Sequence, residues 1–227
     1  MTADFFRKNV YKWIVGVITV CFTSICFVYA WFLSRAKEVE IMTGFFYLVR
    51  EETNVEVGIE FVKLEGGAGY LLRQNDKDYV VLSVYLNEKD GIAVQTNLSG
   101  DKETQLVYVG VDTLYFKTKR EKKNAAVYTG ALQIFYSCME MFDGVIQRLE
   151  DGATQERTKG ILLTLSRQLD YLSQEYAQVY PAFSAVCRRC SQRIEEYCAD
   201  ILFAGDLRYE LCIMTEEYLT LAGAFAI

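Results

Sequence analysis

The short motif with the clearest chemical meaning is Cys187-Arg188-Arg189-Cys190. Two thiols at this spacing suit disulfide exchange, and neighbouring arginines favour the thiolate. A redox motif of this kind normally follows a strand at the start of a helix. Here the pair falls about two turns inside a helical pattern. A zinc site would need two more ligands, and only Cys198 and Cys212 stand nearby in a chain without histidine. The pair therefore reads first as structural thiols, with thiol-based redox chemistry as an alternative. The absence of histidine also removes the usual general base and proton shuttle. The acidic pairs Glu195-Glu196 and Glu216-Glu217 lie on helical patterns, where adjacent residues do not share a face, so neither is a carboxylate dyad. No nucleophile elbow, phosphate loop or metal motif occurs. The expectation is a protein that is not an enzyme and holds neither cofactor nor metal.

The longest apolar feature is WIVGVITVCFTSICFVYAWFLS, residues 13–34, which carries no charge and is bounded by Lys12 and Arg35. A helix crossing a hydrocarbon core about 30 Å thick needs roughly 20 such residues. Trp13 at one end and Tyr29 and Trp31 at the other match interfacial aromatic belts. The run is long for a cleaved signal, and Tyr29-Ala30-Trp31 is a poor cleavage site. Arg7, Lys8 and Lys12 precede it, whereas Arg35 and Lys37 are balanced by Glu38 and Glu40. Residues 1–12 are accordingly expected in the cytoplasm, 13–34 across the membrane, and everything from about 36 onward outside. The net charge of −6 argues against nucleic-acid binding. Of seven cysteines, Cys21 and Cys26 lie in the apolar run. The remaining five fall on helical patterns, unlike an even-numbered disulfide framework in loops.

Residues 44–116 alternate strand and helix. GFFYLVRE, AGYLLRQ, DYVVLSVYL and ETQLVYVGVDTLYFK read as strands. NVEVGIEFVKL and EKDGIAVQTNL read as helices, the first ended by Gly66-Gly67 and the second capped by Asn87. The order is β-α-β-β-α-β, a split βαβ or ferredoxin-like arrangement with both helices on one face of an antiparallel sheet. The two halves repeat: Arg50 stands eight residues before Gly58 and Ser83 eight before Gly91, each glycine where a helix must approach the sheet closely. Residues 117–123, KTKREKK, form a basic connector, either a solvated linker or a contact with anionic lipid or wall polymer. From 124 to 227 the period becomes helical. Gly152 breaks the first stripe, Thr154 caps a second helix, Pro181 opens a third, and Gly205 with Asp206 separates a fourth, an antiparallel bundle. The fold class is α+β.

The repeated pattern, above all YVVLSVYLNEKDGIAV, resembles the SPOR family of bacterial peptidoglycan-binding domains over residues 45–116. In that family an apolar strand carries a small residue and an aromatic before a polar turn and a helix with a small residue in its first turn. Those features fall here on Val80 to Val84, Ser83, Tyr85, Asn87 to Asp90, and Gly91. The resemblance implies binding of glycan strands, often stripped of peptides, on the open sheet face at division or sporulation septa. Residues of matching parity on that face are Phe46, Leu48, Arg50, Tyr79, Val81 and Ser83. Leu48 stands where the family carries a glutamine, and the face is more apolar than a sugar groove. A contiguous apolar face is usually covered, and the bundle is the nearest cover. The sequence thus points to a membrane-anchored, non-enzymatic bacterial envelope protein that localises or scaffolds a division or sporulation assembly with an envelope protein partner. Glycan-strand binding by the open face is the alternative.

Overall fold

A computed structural model of the chain describes residues 35–52, 54–74, 76–98 and 104–226. The anchor expected over 13–34 lies outside these residues. Among the described residues no helix is long and apolar enough to cross a membrane. The described residues form a mixed α+β protein with one antiparallel sheet and six helices.

Strand β1 (Lys37–Glu51) leads to α1 (Val55–Leu64), the hairpin β2 (Tyr70–Gln74) and β3 (Lys77–Tyr85), α2 (Glu88–Leu98) and β4 (Thr104–Phe116). The sheet order is β2-β3-β1-β4, with every neighbouring pair antiparallel. Asn54 caps α1 by accepting from the Val57 amide, and Gly66 leaves it at φ +82°. Gly58 and Gly91 let the two helices lie close to the sheet. A Cβ on Gly58 would stand 3.2 Å from a Val80 methyl, and one on Gly91 would stand 2.9 Å from a Leu106 methyl.

The bundle consists of α3 (Lys119–Glu150), α4 (Gln155–Glu175), α5 (Pro181–Ala199) and α6 (Ala204–Gly223). Gly152, at φ +86°, turns the chain between α3 and α4, Thr154 caps α4 and Pro181 occupies the first turn of α5.

Three boundaries differ from the sequence reading. β1 begins at Lys37 rather than Gly44, because its first residues pair with the end of β4, Lys37 opposite Phe116 and Glu40 opposite Thr113. The basic connector is largely helix: Thr118 and Glu121 form a capping box, so α3 begins inside KTKREKK. Gly205 and Asp206 lie within the first turn of α6 rather than before it, and Phe203 is the N-cap.

The two faces of the sheet bury different partners. Leu48, Val80 and Leu82 pack with Val62 of α1 and with Val94 of α2. Phe45, Tyr47, Val49 and Val81 point the other way, into the core made by the bundle. The Phe45 ring meets Tyr218 of α6 edge-on at 5.3 Å and Tyr136 of α3 at 6.0 Å. Polar contacts fix the same seam. Tyr218 Oη donates to Thr43 Oγ1 at 3.0 Å, Tyr136 Oη to the Leu86 carbonyl at 3.1 Å, and the Tyr115 amide to the Phe225 carbonyl at 2.6 Å. The sheet face opposite α1 and α2 is therefore not open: α3 and α6 cover it.

Candidate functional site

The six residues expected on one open face divide between two. β1 and β3 are antiparallel, with Phe46 opposite Tyr85, Leu48 opposite Ser83 and Arg50 opposite Val80. Directly opposed residues share a face, so Phe46, Leu48, Arg50 and Ser83 lie on the α1–α2 side. The register shifts after Leu48, where Leu82 is the extra residue, and Val49 then pairs with Val81. That bulge puts Val81 and Tyr79 on the bundle side. Matching parity along two strands is not a shared face until the register is known, since a slip of one residue reverses every side chain.

The α1–α2 side holds a cleft of about 560 Å³, within the size range of small-molecule sites. Its floor is Leu48, Leu82 and Val62, and its walls carry Arg50, Glu65, Ser83, Tyr85, Asn97 and Arg208. Arg50 is 7% exposed, and its Nη1 donates to Glu65 Oε2 at 2.6 Å. Among the described residues its buried Nε has no hydrogen-bond acceptor. Glu65 is the C-cap of α1, so the helix end delivers the carboxylate to the strand. Burial raises the Tyr85 phenol, with the Ser83 hydroxyl opposing. Arg208 reaches in from α6, donating to the Gly66 carbonyl at 2.7 Å and pairing with Glu150. The approach is close because residue 205 is glycine: a Cβ there would stand 3.0 Å from the Gly67 carbonyl oxygen. The sequence reading found Leu48, Arg50 and Ser83, singled out Tyr85 only as the aromatic of the family pattern, and missed Glu65, Asn97 and Arg208. Arg208 comes from 142 residues away and left no local signal.

Cys187 and Cys190 lie in the second and third turns of α5 and are fully buried. Burial pushes the Cys187 thiol up strongly and the Cys190 thiol up to about 12, although Arg193 and Arg189 pull Cys190 the other way. Both are held as thiols, which gives no support to thiolate exchange. Three members of the acidic pairs take separate structural partners. Ser166 donates to Glu195 at 2.8 Å, Tyr70 to Glu216 at 2.5 Å, and Arg189 forks onto Glu217. A charged pair that the sequence reading missed joins α5 to α6: Glu210 is fully buried and Arg193, partly exposed, meets it. Its signal was present, since Glu210 falls in the apolar stripe of Leu207, Leu211 and Met214. Among the described residues no cluster of potential ligands could hold a metal ion.

Comparison of the chain with protein-family models, with curated proteins and with solved structures finds no match in any of the three.

Proposed function

We propose that the chain is a membrane-anchored, non-enzymatic bacterial envelope protein that localises or scaffolds a division or sporulation assembly. The observation that carries this reading is the filling of the second sheet face: Phe45, Val49 and Val81 are fully buried and Tyr47 is 2% exposed beneath the bundle. With that face used internally, the α/β part and the bundle work as one body whose outer surfaces meet partners. The outward side of α1 carries an apolar stripe beside Glu56, Glu60 and Lys63, with Val57 59% and Leu64 87% exposed, and this stripe gives an envelope protein a docking edge. The test is localisation of a fluorescent fusion in dividing and sporulating cells. Septal enrichment that Val57→Asp with Leu64→Asp abolishes, at unchanged protein level, supports the reading. Even distribution around the envelope overturns it.

A second reading, glycan-strand binding, is favoured by the cleft rather than by the sheet face. Arg50, Asn97 and Tyr85 place polar groups around an apolar floor on which a sugar ring can lie. Binding of the protein to purified sacculi, stronger after amidase treatment and lost in Arg50→Ala and Asn97→Ala, is its signature.

A further inference from the structure

The described structure begins at Arg35, immediately after the uncharged run 13–34, and β1 begins two residues later at Lys37. Lys37 stands three residues beyond Ser34, the end of that run, and three residues of extended chain reach no more than about 11 Å. Whatever lies beside Lys37 therefore lies beside the end of the run. Lys37 pairs with Phe116, and Phe116 is followed directly by the basic residues that open α3. Lys117, Lys119, Arg120 and Lys123 are all exposed. The strand register thus brings together two stretches of positive charge that are some eighty residues apart in sequence.

Other elements end at the same place. The Phe116 ring lies 6.0 Å from Tyr128 and 4.9 Å from Phe225, and Tyr128 lies 4.7 Å from Tyr180. The turn between α4 and α5 is therefore at this end too, with Val179 39% exposed and Pro181 and Ala182 exposed beside it. Counting residues 35–40 and 117–123, seven cations face three carboxylates, Glu38, Glu40 and Glu121, in a chain whose net charge is −6. The Glu121 carboxylate is engaged by the Lys117 and Thr118 amides at 2.8 and 2.9 Å. The positive excess is thus concentrated at one end of an otherwise acidic protein.

We propose that this end is a membrane-contact surface, on which Lys37, Lys117, Lys119, Arg120 and Lys123 hold the headgroups of anionic phospholipids in the bilayer that the anchor enters. The inference rests on the anchor reading of residues 13–34. It favours lipid over an anionic wall polymer because a tether of at most about 11 Å holds the near side of the cluster at about one Debye length, roughly 10 Å at 0.1 M salt, from the end of the run. Juxtamembrane basic clusters are attracted to anionic headgroups over that range. The contact would set the tilt of the whole body on its anchor and keep the α1–α2 cleft clear of the bilayer.

The test uses the full chain reconstituted into nanodiscs. Both tryptophans, Trp13 and Trp31, lie in the uncharged run. Trp13→Phe and Trp31→Phe silence them, and Val179→Trp places a single reporter at the basic end. Quenching of that reporter by headgroup-proximal brominated lipid is the readout. Strong quenching is expected in discs rich in phosphatidylglycerol. Most of it should be lost in phosphatidylcholine discs, in 1 M salt, and in a variant carrying Lys117→Gln, Lys119→Gln, Arg120→Gln and Lys123→Gln. The lipid and salt arms need no change in the basic cluster, so the test does not depend on how that variant folds. Weak quenching in anionic discs, or equal quenching in anionic and neutral discs, overturns the inference while leaving the anchor intact. Loss of quenching when polyglycerol phosphate is added to anionic discs overturns it in favour of wall polymer. A chain that does not remain with the discs overturns the anchor reading itself, and the inference with it.

Discussion

Arg193 of α5 meets Glu210 of α6 with its Nε 2.9 Å from each carboxylate oxygen, and Glu210 has no exposed surface. Burial is the larger influence on Glu210 and raises its carboxyl from 4.5 to about 7, with Arg193 opposing. The folded state therefore binds this proton more tightly than the unfolded chain does. The stability linked to it is fully present below the unfolded value and is lost as pH rises through the folded one. The wild-type thermal midpoint should thus carry a downward component between about pH 4.5 and 7, and Glu210→Gln should remove it. Identical slopes in the two proteins would show that Glu210 titrates normally.

The same pair predicts an asymmetry. Removing Arg193 leaves a buried carboxylate alone, which typically costs about 3–5 kcal/mol. Removing the charge of Glu210 leaves an arginine whose side chain is 25% exposed and reaches water. In denaturant titrations at pH 8, Arg193→Leu should lose far more stability than Glu210→Gln. The opposite order would contradict a buried carboxylate that depends on its arginine.

The seam between sheet and bundle predicts a third result. Phe45 is fully buried and touches rings from both α3 and α6. Phe45→Ala should cost about 3–5 kcal/mol, as for other buried aromatics. Unfolding followed separately at the sheet and in the helices should remain a single transition, because one core serves both. Two separate transitions in the wild-type protein would mean that the seam contributes little.

The order of elements was legible because period, caps and breakers are local. Gly66, Gly152, Thr154 and Pro181 each punctuate the chain where the sequence placed them. The faces were not legible, because the bulge at Leu82 is a property of two strands together and changes which residues oppose Leu48 and Val49. The start of α3 was legible and missed: Thr118 and Glu121 have capping-box spacing, but the density of lysine and arginine around them reads as linker. Gly205 was read as a helix stop. Its actual constraint, contact with a loop 138 residues earlier, has no local trace. Within the cleft, Arg50 and Ser83 were visible through the internal repeat. Glu65 and Arg208 enter only through packing.

Gly205 supplies a fourth prediction. Its backbone passes so close to the Gly66-Gly67 turn that a side chain must push the two apart, and Arg208 donates to the same turn at 2.7 Å. Gly205→Val should cost about 1–3 kcal/mol, as overpacking does. Hydrogen exchange should rise at residues 65–69 and in the first turn of α6. Unchanged exchange there would mean that α6 does not seat on the turn.

The fifth prediction separates the two readings of the cysteines. Among the described residues, Cys138, Cys187, Cys190 and Cys212 are buried, and Cys198 is partly exposed. A thiol reacts with an alkylating reagent as its thiolate and only where the reagent can reach it. Burial raises the Cys138 thiol to about 11 and the Cys190 thiol to about 12. It raises Cys198 too, but Lys159 pulls that thiol back. In native protein, peptide mass spectrometry after brief alkylation should find Cys198 modified first among these five. Raising the pH toward 9 should speed Cys198 and leave Cys187 and Cys190 almost untouched, since for them access is limiting as well as ionisation. Their modification should instead follow denaturant and appear with global unfolding. A redox pair requires the reverse, because one member must present a thiolate to a partner at neutral pH. If Cys187 or Cys190 reacts ahead of Cys198 in the folded protein, α5 opens in solution and the thiol-exchange reading is restored.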